Sequence, residues 1–223
     1  MAKCYKILQK KLILIETKLM LTYNVIRQIM KNLIKSIILI AILAFSFNSC
    51  FSVQTFDDKK KEIVALYNSN SLDEAYQMIS AVPEDERDAE LWFLLGNLTQ
   101  DFNNDVNAAF FLQKAAILDP KFDKAHYNLA NIYLKEKKYN SAINEYKLAI
   151  KYKKDFPYYY YNLGCAYLGQ KDYKRARAEF QKAIKLKSDD ASFYYNLAFS
   201  ENKLNKKIEA QKSLDMYNKL KAK

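Results

Sequence analysis

Small and apolar residues recur along the second half of this chain with a period of 34. Counted from Ala89, Asp123, Pro157 and Ala191, the same residue types fall at the same places without gaps. The seventh position holds Leu95, Leu129, Leu163 and Leu197. The eighth holds Gly96, Ala130, Gly164 and Ala198, and the twentieth holds Ala108, Ala142, Ala176 and Ala210. A third small position holds Ala115, Ala149 and Ala183, with Tyr217 in the last copy. Within one copy, such as residues 157–190, the apolar positions fall into two runs of helical spacing separated by a tight polar turn. This predicts two short amphipathic helices per copy.

One such pair cannot bury its apolar face alone, so a fixed period of this length predicts an all-α solenoid in which neighbouring copies complete each other's core. Gly or Ala where the two helices cross lets their axes approach to roughly 8–10 Å. Large residues at Trp92, Tyr133, Tyr146, Tyr160, Tyr167 and Phe180 fill the space around the crossing, and a bulky side chain at Ala176 is expected to overpack it.

These copies resemble tetratricopeptide repeats, whose pattern runs aromatic, Leu, Gly or Ala, Tyr, Ala, aromatic, Ala, Pro. Residues 89–122 carry Trp92, Leu95, Gly96, Ala108, Ala115 and Pro120 in that order. The resemblance covers residues 89–223 and implies four copies: 89–122, 123–156, 157–190 and 191–223. Thr99 and Glu201 stand where the pattern has tyrosine, His126 takes the first aromatic place, and Lys154 and Ser188 replace the proline. Residues 57–88 read as a shortened, degenerate pair. Its helices run from about Asp57 to Tyr67 and from Leu72 to Ser80, with Ser71 as N-cap and Ala65 and Ala75 as its small residues. Pro83 and the acidic run Glu84–Glu86 then separate it from the regular array. The final helix, about Lys206 to Leu220, has no helix after it. Contact between copies and a cap covered by its own lysines are both open readings of its surface.

The N-terminus is of another kind. Residues 1–29 alternate basic and apolar types with no repeat signal and read as an untranslated or disordered extension, with translation expected to start at Met30. Residues 30–49 read as a signal peptide: Lys31 and Lys35 precede the run from Ile37 to Phe47, which is broken only by Ser46 and is short of the roughly 20 residues a spanning helix needs. Ser49–Cys50 resembles a bacterial lipoprotein signal, which implies a diacylated Cys50 at the head of a tether, residues 50–56. Phe47 and Asn48 depart from that motif. Cleavage after Ala44-Phe45-Ser46 without lipid, or a retained anchor, are the alternatives. Removal of the residues before Cys50 leaves only Cys50 and Cys165, and acylation of Cys50 leaves no exposed thiol in an oxidising compartment.

The formal charge of +11 is unevenly spread. Residues 1–49 hold eight basic side chains and one acidic, residues 50–119 five and thirteen, and residues 120–223 twenty-three and eleven. The array is therefore acidic at its start and basic at its end, a polarity that can steer an anionic partner to the last copies or merely solvate helix faces. No nucleic-acid reading module accompanies it, and no nucleic-acid partner is expected.

The chemistry-bearing residues are few. His126 is the single histidine and sits where the other copies hold Trp or Tyr, so a packed role is expected. No phosphate loop or Cys/His metal spacing occurs, and neither cofactor nor metal is expected. Cys165 lies at a ninth position, which the resemblance turns toward the concave groove, and a reactive thiol there is one reading. The sequence therefore points to a non-enzymatic scaffold, anchored by lipid to a membrane of the bacterial cell envelope, that holds an unidentified peptide or protein on its concave surface. Alternatives are an assembly factor of an outer-membrane or secretion complex and an enzyme with an unrecognised site. The expected partner-binding residues are the aromatics Phe93, Tyr127, Tyr161 and Tyr195, one per copy, with Tyr158 and Phe199 beside them and Asn97 and Asn131 to bond a partner's backbone. The fifth positions lack the lysine by which some tetratricopeptide domains clamp a C-terminal carboxylate, so no preference for a free C-terminus is expected.

Overall fold

The computed structural model describes Met20, Thr22, Gln28 and residues 30–36 and 55–222. The chain divides into two compact units, Met1–Lys59 and Lys60–Lys223. In the first, residues 30–36 are helical and exposed. The remainder of the expected signal segment, Cys50 and residues 51–54 lie outside the described residues. Among the described residues no helix is long and apolar enough to cross a membrane.

Helices α1 (Phe56–Asn68) and α2 (Leu72–Ser80) form the first pair and are followed by a single 3-10 turn, Glu84–Glu86. Four pairs come next. Their first helices are α3 (Ala89–Asp101), α5 (Asp123–Lys135), α7 (Pro157–Gly169) and α9 (Ala191–Lys203). Their second helices are α4 (Asp105–Leu118), α6 (Tyr139–Tyr152), α8 (Tyr173–Leu186) and α10 (Lys207–Lys221). Within these four pairs first helices begin 34 residues apart, as do second helices, and from α2 onward each helix packs on the next in sequence. The described residues form an all-α tetratricopeptide solenoid.

The small positions sit at the crossings as the pattern requires. Ala108, Ala142 and Ala176 are fully buried, and so are their large neighbours Leu112, Tyr146 and Phe180. Of the other large residues expected there, Trp92 and Tyr167 are buried, and Tyr133 and Tyr160 are half-buried.

Every pair turns in the same way. Asn103, Lys137, Lys171 and Asn205 adopt a left-handed conformation with φ of 57°, 59°, 61° and 58°. The next amide bonds back to the carbonyl five residues earlier, as Asn104 does to Thr99 and Asp172 to Tyr167, both at 2.9 Å. This closes each first helix with a Schellman turn. Asn70 has the same conformation, with the Ser71 amide bonding Leu66. Alignment on the turn therefore gives the first pair an offset of 33 and puts buried Ile63, not exposed Ala65, at its eighth position. Ser71 occupies the N-cap of α2, but its hydroxyl makes no cap bond. The caps that do form use Thr55 on α1 and Asp88, Asn104, Asp172 and Asp190 on α3, α4, α8 and α9.

Candidate functional site

The fifth-position aromatics are set by their helix face toward the start of the next first helix: Tyr127 and Tyr161 meet the following copy, and Phe93 meets Phe122, the last residue of its own copy. The Phe93 ring lies 4.9 Å from Phe122, Tyr127 4.8 Å from Tyr159, and Tyr161 4.9 Å from Phe193. All three are half-buried. Sixth-position asparagines tie the same seam from the other side. Asn162 Nδ2 donates to the Tyr127 hydroxyl at 2.9 Å and to Asn131 Oδ1 at 3.0 Å, and Asn196 Nδ2 donates to the Tyr161 hydroxyl at 2.8 Å. Asn128 Nδ2 donates to Asn97 Oδ1 at 2.6 Å, and Asn131 Oδ1 also accepts from the Tyr146 hydroxyl at 2.6 Å. Tyr127 and Asn131 are thus brought together by Asn162, while Asn97 and Tyr161 sit in the seams before and after, and each of these groups expected to meet a ligand bonds the next copy. Burial raises the Tyr127 hydroxyl above its ordinary value and pushes Tyr161 up to about 12, so both stay protonated. Tyr158 packs on Phe193 beside Tyr161, at 5.5 Å ring to ring, donating to Asp190 Oδ2 at 3.1 Å and accepting from Lys187 Nζ at 2.8 Å.

In the last described copy the seam is uncovered. Tyr195 is 51% exposed and Phe199 44%, whereas their counterparts in the earlier copies are half-buried. They rim a cleft of about 340 Å³ between α9 and α10, lined also by Ala198, Asn202, Lys207, Ala210, Gln211 and Leu214. Leu214 is half-buried where Leu112, Tyr146 and Phe180 are fully buried. The cleft occupies the place where a further first helix would pack. Tyr217, which replaces the third small residue, lies 5.3 Å ring to ring from Tyr195 and leaves the cleft open.

The departures from the repeat pattern are each satisfied internally. His126 is buried, its Nδ1 2.7 Å from Glu145 Oε2 and its Nε2 3.0 Å from the Pro120 carbonyl. Tyr160 and Tyr194, at the same position of later copies, reach the Lys154 and Ser188 carbonyls six residues back in the same way. Glu201, where the pattern has tyrosine, is buried between Arg177 Nε at 3.0 Å and the Ser213 hydroxyl at 2.8 Å. Thr99 bonds the Leu95 carbonyl at 2.6 Å. Burial pushes the Cys165 thiol up to about 11, which opposes the thiolate a nucleophile needs.

One surface lies outside the expected site. On α4, Val106 (75%), Phe110 (51%) and Ile117 (71%) are exposed on one face, with Phe102 and Leu118 beside them. The same positions hold Asn140, Asn144 and Lys151 on α6, and Lys174, Ala178 and Lys185 on α8. The patch emerges when these positions are set side by side, because all four second helices share a register and only α4 fills all three with large apolar residues, α10 holding Ile208, Lys212 and Lys219 there.

Three family models match the chain. One, described as a TPR repeat, covers residues 130–171, and two described as tetratricopeptide repeats cover 111–144 and 157–190. Among solved structures, a crystal structure of MamA protein is 20% identical with a TM-score of 0.68, covering 76% of this chain and 93% of that one. MamA 41-end from Desulfovibrio magneticus RS-1 is 19% identical with a TM-score of 0.67, over 74% and 93%. A further MamA crystal structure is 21% identical with a TM-score of 0.65, over 75% and 95%. These likenesses establish the fold. No curated protein matches this chain.

Proposed function

We propose that this tetratricopeptide chain is a protein-interaction scaffold of the bacterial cell envelope, lipid-anchored at Cys50, that holds a segment of a protein partner along its first helices and in the terminal cleft. The observation that carries this reading is the exposure of Tyr195 and Phe199 over a cleft that the next first helix fills in each earlier copy. Tyr offers an apolar face with a hydroxyl at its edge, and Asn202 and Gln211 add donors and acceptors for a partner's backbone. The anchor rests on the short apolar run after Lys35 and on Ser49–Cys50.

In-cell crosslinking tests the reading. Tyr195→Ala with Phe199→Ala is expected to lose most of the partner recovered by the unaltered chain, because truncation of a buried interface anchor typically costs at least ~2 kcal/mol. The far-ultraviolet circular dichroism is expected to stay unchanged. Undiminished recovery by the folded double variant would place the partner elsewhere. Metabolic incorporation of a fatty-acid analogue, lost in Cys50→Ala, tests the anchor.

A further inference from the structure

Among the described residues the apolar face of α4 has no partner, and its surroundings indicate what covers it. Residues 84–119 carry eight acidic side chains and two basic ones, Arg87 and Lys114. Lys114 is engaged locally, its Nζ 3.5 Å from Glu84 and about equally close to the rings of Trp92 and Phe110, at 4.9 Å and 5.2 Å. A second α4 face would bring like charge against like, which disfavours a symmetric dimer through this surface. At the other end of the same solenoid, residues 191–223 carry seven basic side chains and three acidic ones. That end also holds the cleft rimmed by Tyr195 and Phe199, with Leu214 as its apolar wall and Lys207 at its edge.

We infer that α4 of one copy docks in the cleft between α9 and α10 of a second copy. This identifies the partner in the reading above as the chain itself and rests on that reading. The fit is of three kinds. The cleft stands where a helix packs in every earlier copy, and α4 is a helix of 14 residues with an apolar stripe at Val106, Phe110 and Ile117. Among the described residues nothing else covers the apolar residues on either side. The acidic flanks Asp101 and Asp119 meet Lys203 and Lys207, beside Lys206, which Glu209 holds at 3.2 Å. Because the two surfaces differ, the contact is head-to-tail, and it generates a ring or an open chain of copies.

The test uses the full chain, expressed in cells in two differently tagged copies, with Phe110 replaced by the photo-crosslinking residue p-benzoylphenylalanine in one. The expected adduct joins the two tags and maps by mass spectrometry to residues 191–214 of the second copy. Lys203→Glu with Lys207→Glu in the receiving copy should lower its yield at least fivefold. Asp101→Lys with Asp119→Lys in the probe copy should restore it. No adduct, an adduct on another protein or on α4 of the second copy, or a yield indifferent to these charges overturns the inference. A probe at Tyr195 that links a different protein, with no second copy found at Phe110, sinks this inference alone. Adducts at neither position sink the scaffold reading with it.

Discussion

Gly164 lies against the ring of Phe180 so closely that a Cβ built on the glycine falls 2.6 Å from Phe180 Cε1. Phe180 is fully buried and cannot swing aside into solvent. Gly164→Ala is therefore expected to cost about 1–3 kcal/mol, the range for overpacking a close-packed core. The last copy pairs Ala198 with Leu214 at the same two positions. The double variant Gly164→Ala, Phe180→Leu reproduces that pair, and urea unfolding should find it less destabilised than the sum of its two single variants. Additivity would show that the ring does not set the limit.

His126 predicts a pH dependence of stability. Burial opposes its charge, but Glu145 and the Pro120 carbonyl outweigh burial and hold its pKa above the ordinary value. A raised folded-state pKa gives stability that is complete below the unfolded value of about 6.5 and is lost as pH rises through the folded value. The melting temperature should fall between pH 6 and pH 8 by more in the parent chain than in Glu145→Gln. His126→Tyr, which restores the residue type of Tyr160 and Tyr194, should remove this component. Equal slopes in parent and Glu145→Gln would exclude the pair as its source.

The period of 34 was enough to place the helices, because both helix registers and all crossings repeat with it. Two features needed geometry and a third needed the copies set against one another. The left-handed turn residues are Asn or Lys in the described pairs, so no glycine marks the turn, and its alignment moves the first pair by one residue to put Ile63 at the crossing. Asn128, Asn162 and Asn196 are visible at their sixth positions, yet their partners lie about thirty residues away in the preceding copy. The α4 patch is legible only when Val106 is set beside Asn140 and Lys174. Attention to the small positions passes over it.

Cys165 should behave as a buried thiol. Burial is the first cause of its raised pKa, and the hydrogen bonds from Tyr161 and Asn196 offset it only in part. At pH 7.5 it is expected to react with a small disulfide reagent at least tenfold more slowly than an exposed cysteine in the unfolded chain, since the thiolate fraction falls tenfold per pKa unit. A rate matching that of the denatured chain would mean that the seam beside Asn196 opens readily.

The aromatic seam and its open end make opposite predictions for the same residue type. Tyr127 packs on Tyr146, Phe156 and Tyr159 and accepts a hydrogen bond from Asn162, so Tyr127→Ala removes a ring that joins two copies. Its expected cost is at least about 2 kcal/mol, below the 3–5 kcal/mol of a fully buried aromatic because the ring is half-buried. Among the described residues Tyr195 contacts Tyr217 alone of the rings and is 51% exposed, so Tyr195→Ala should cost under about 1 kcal/mol. Partner recovery should order the other way, with Tyr195→Ala losing capture while the fold persists. Chemical denaturation of each variant beside its crosslinking yield separates the two roles. Equal stability losses would show that the last copy uses its tyrosine as the inner copies do.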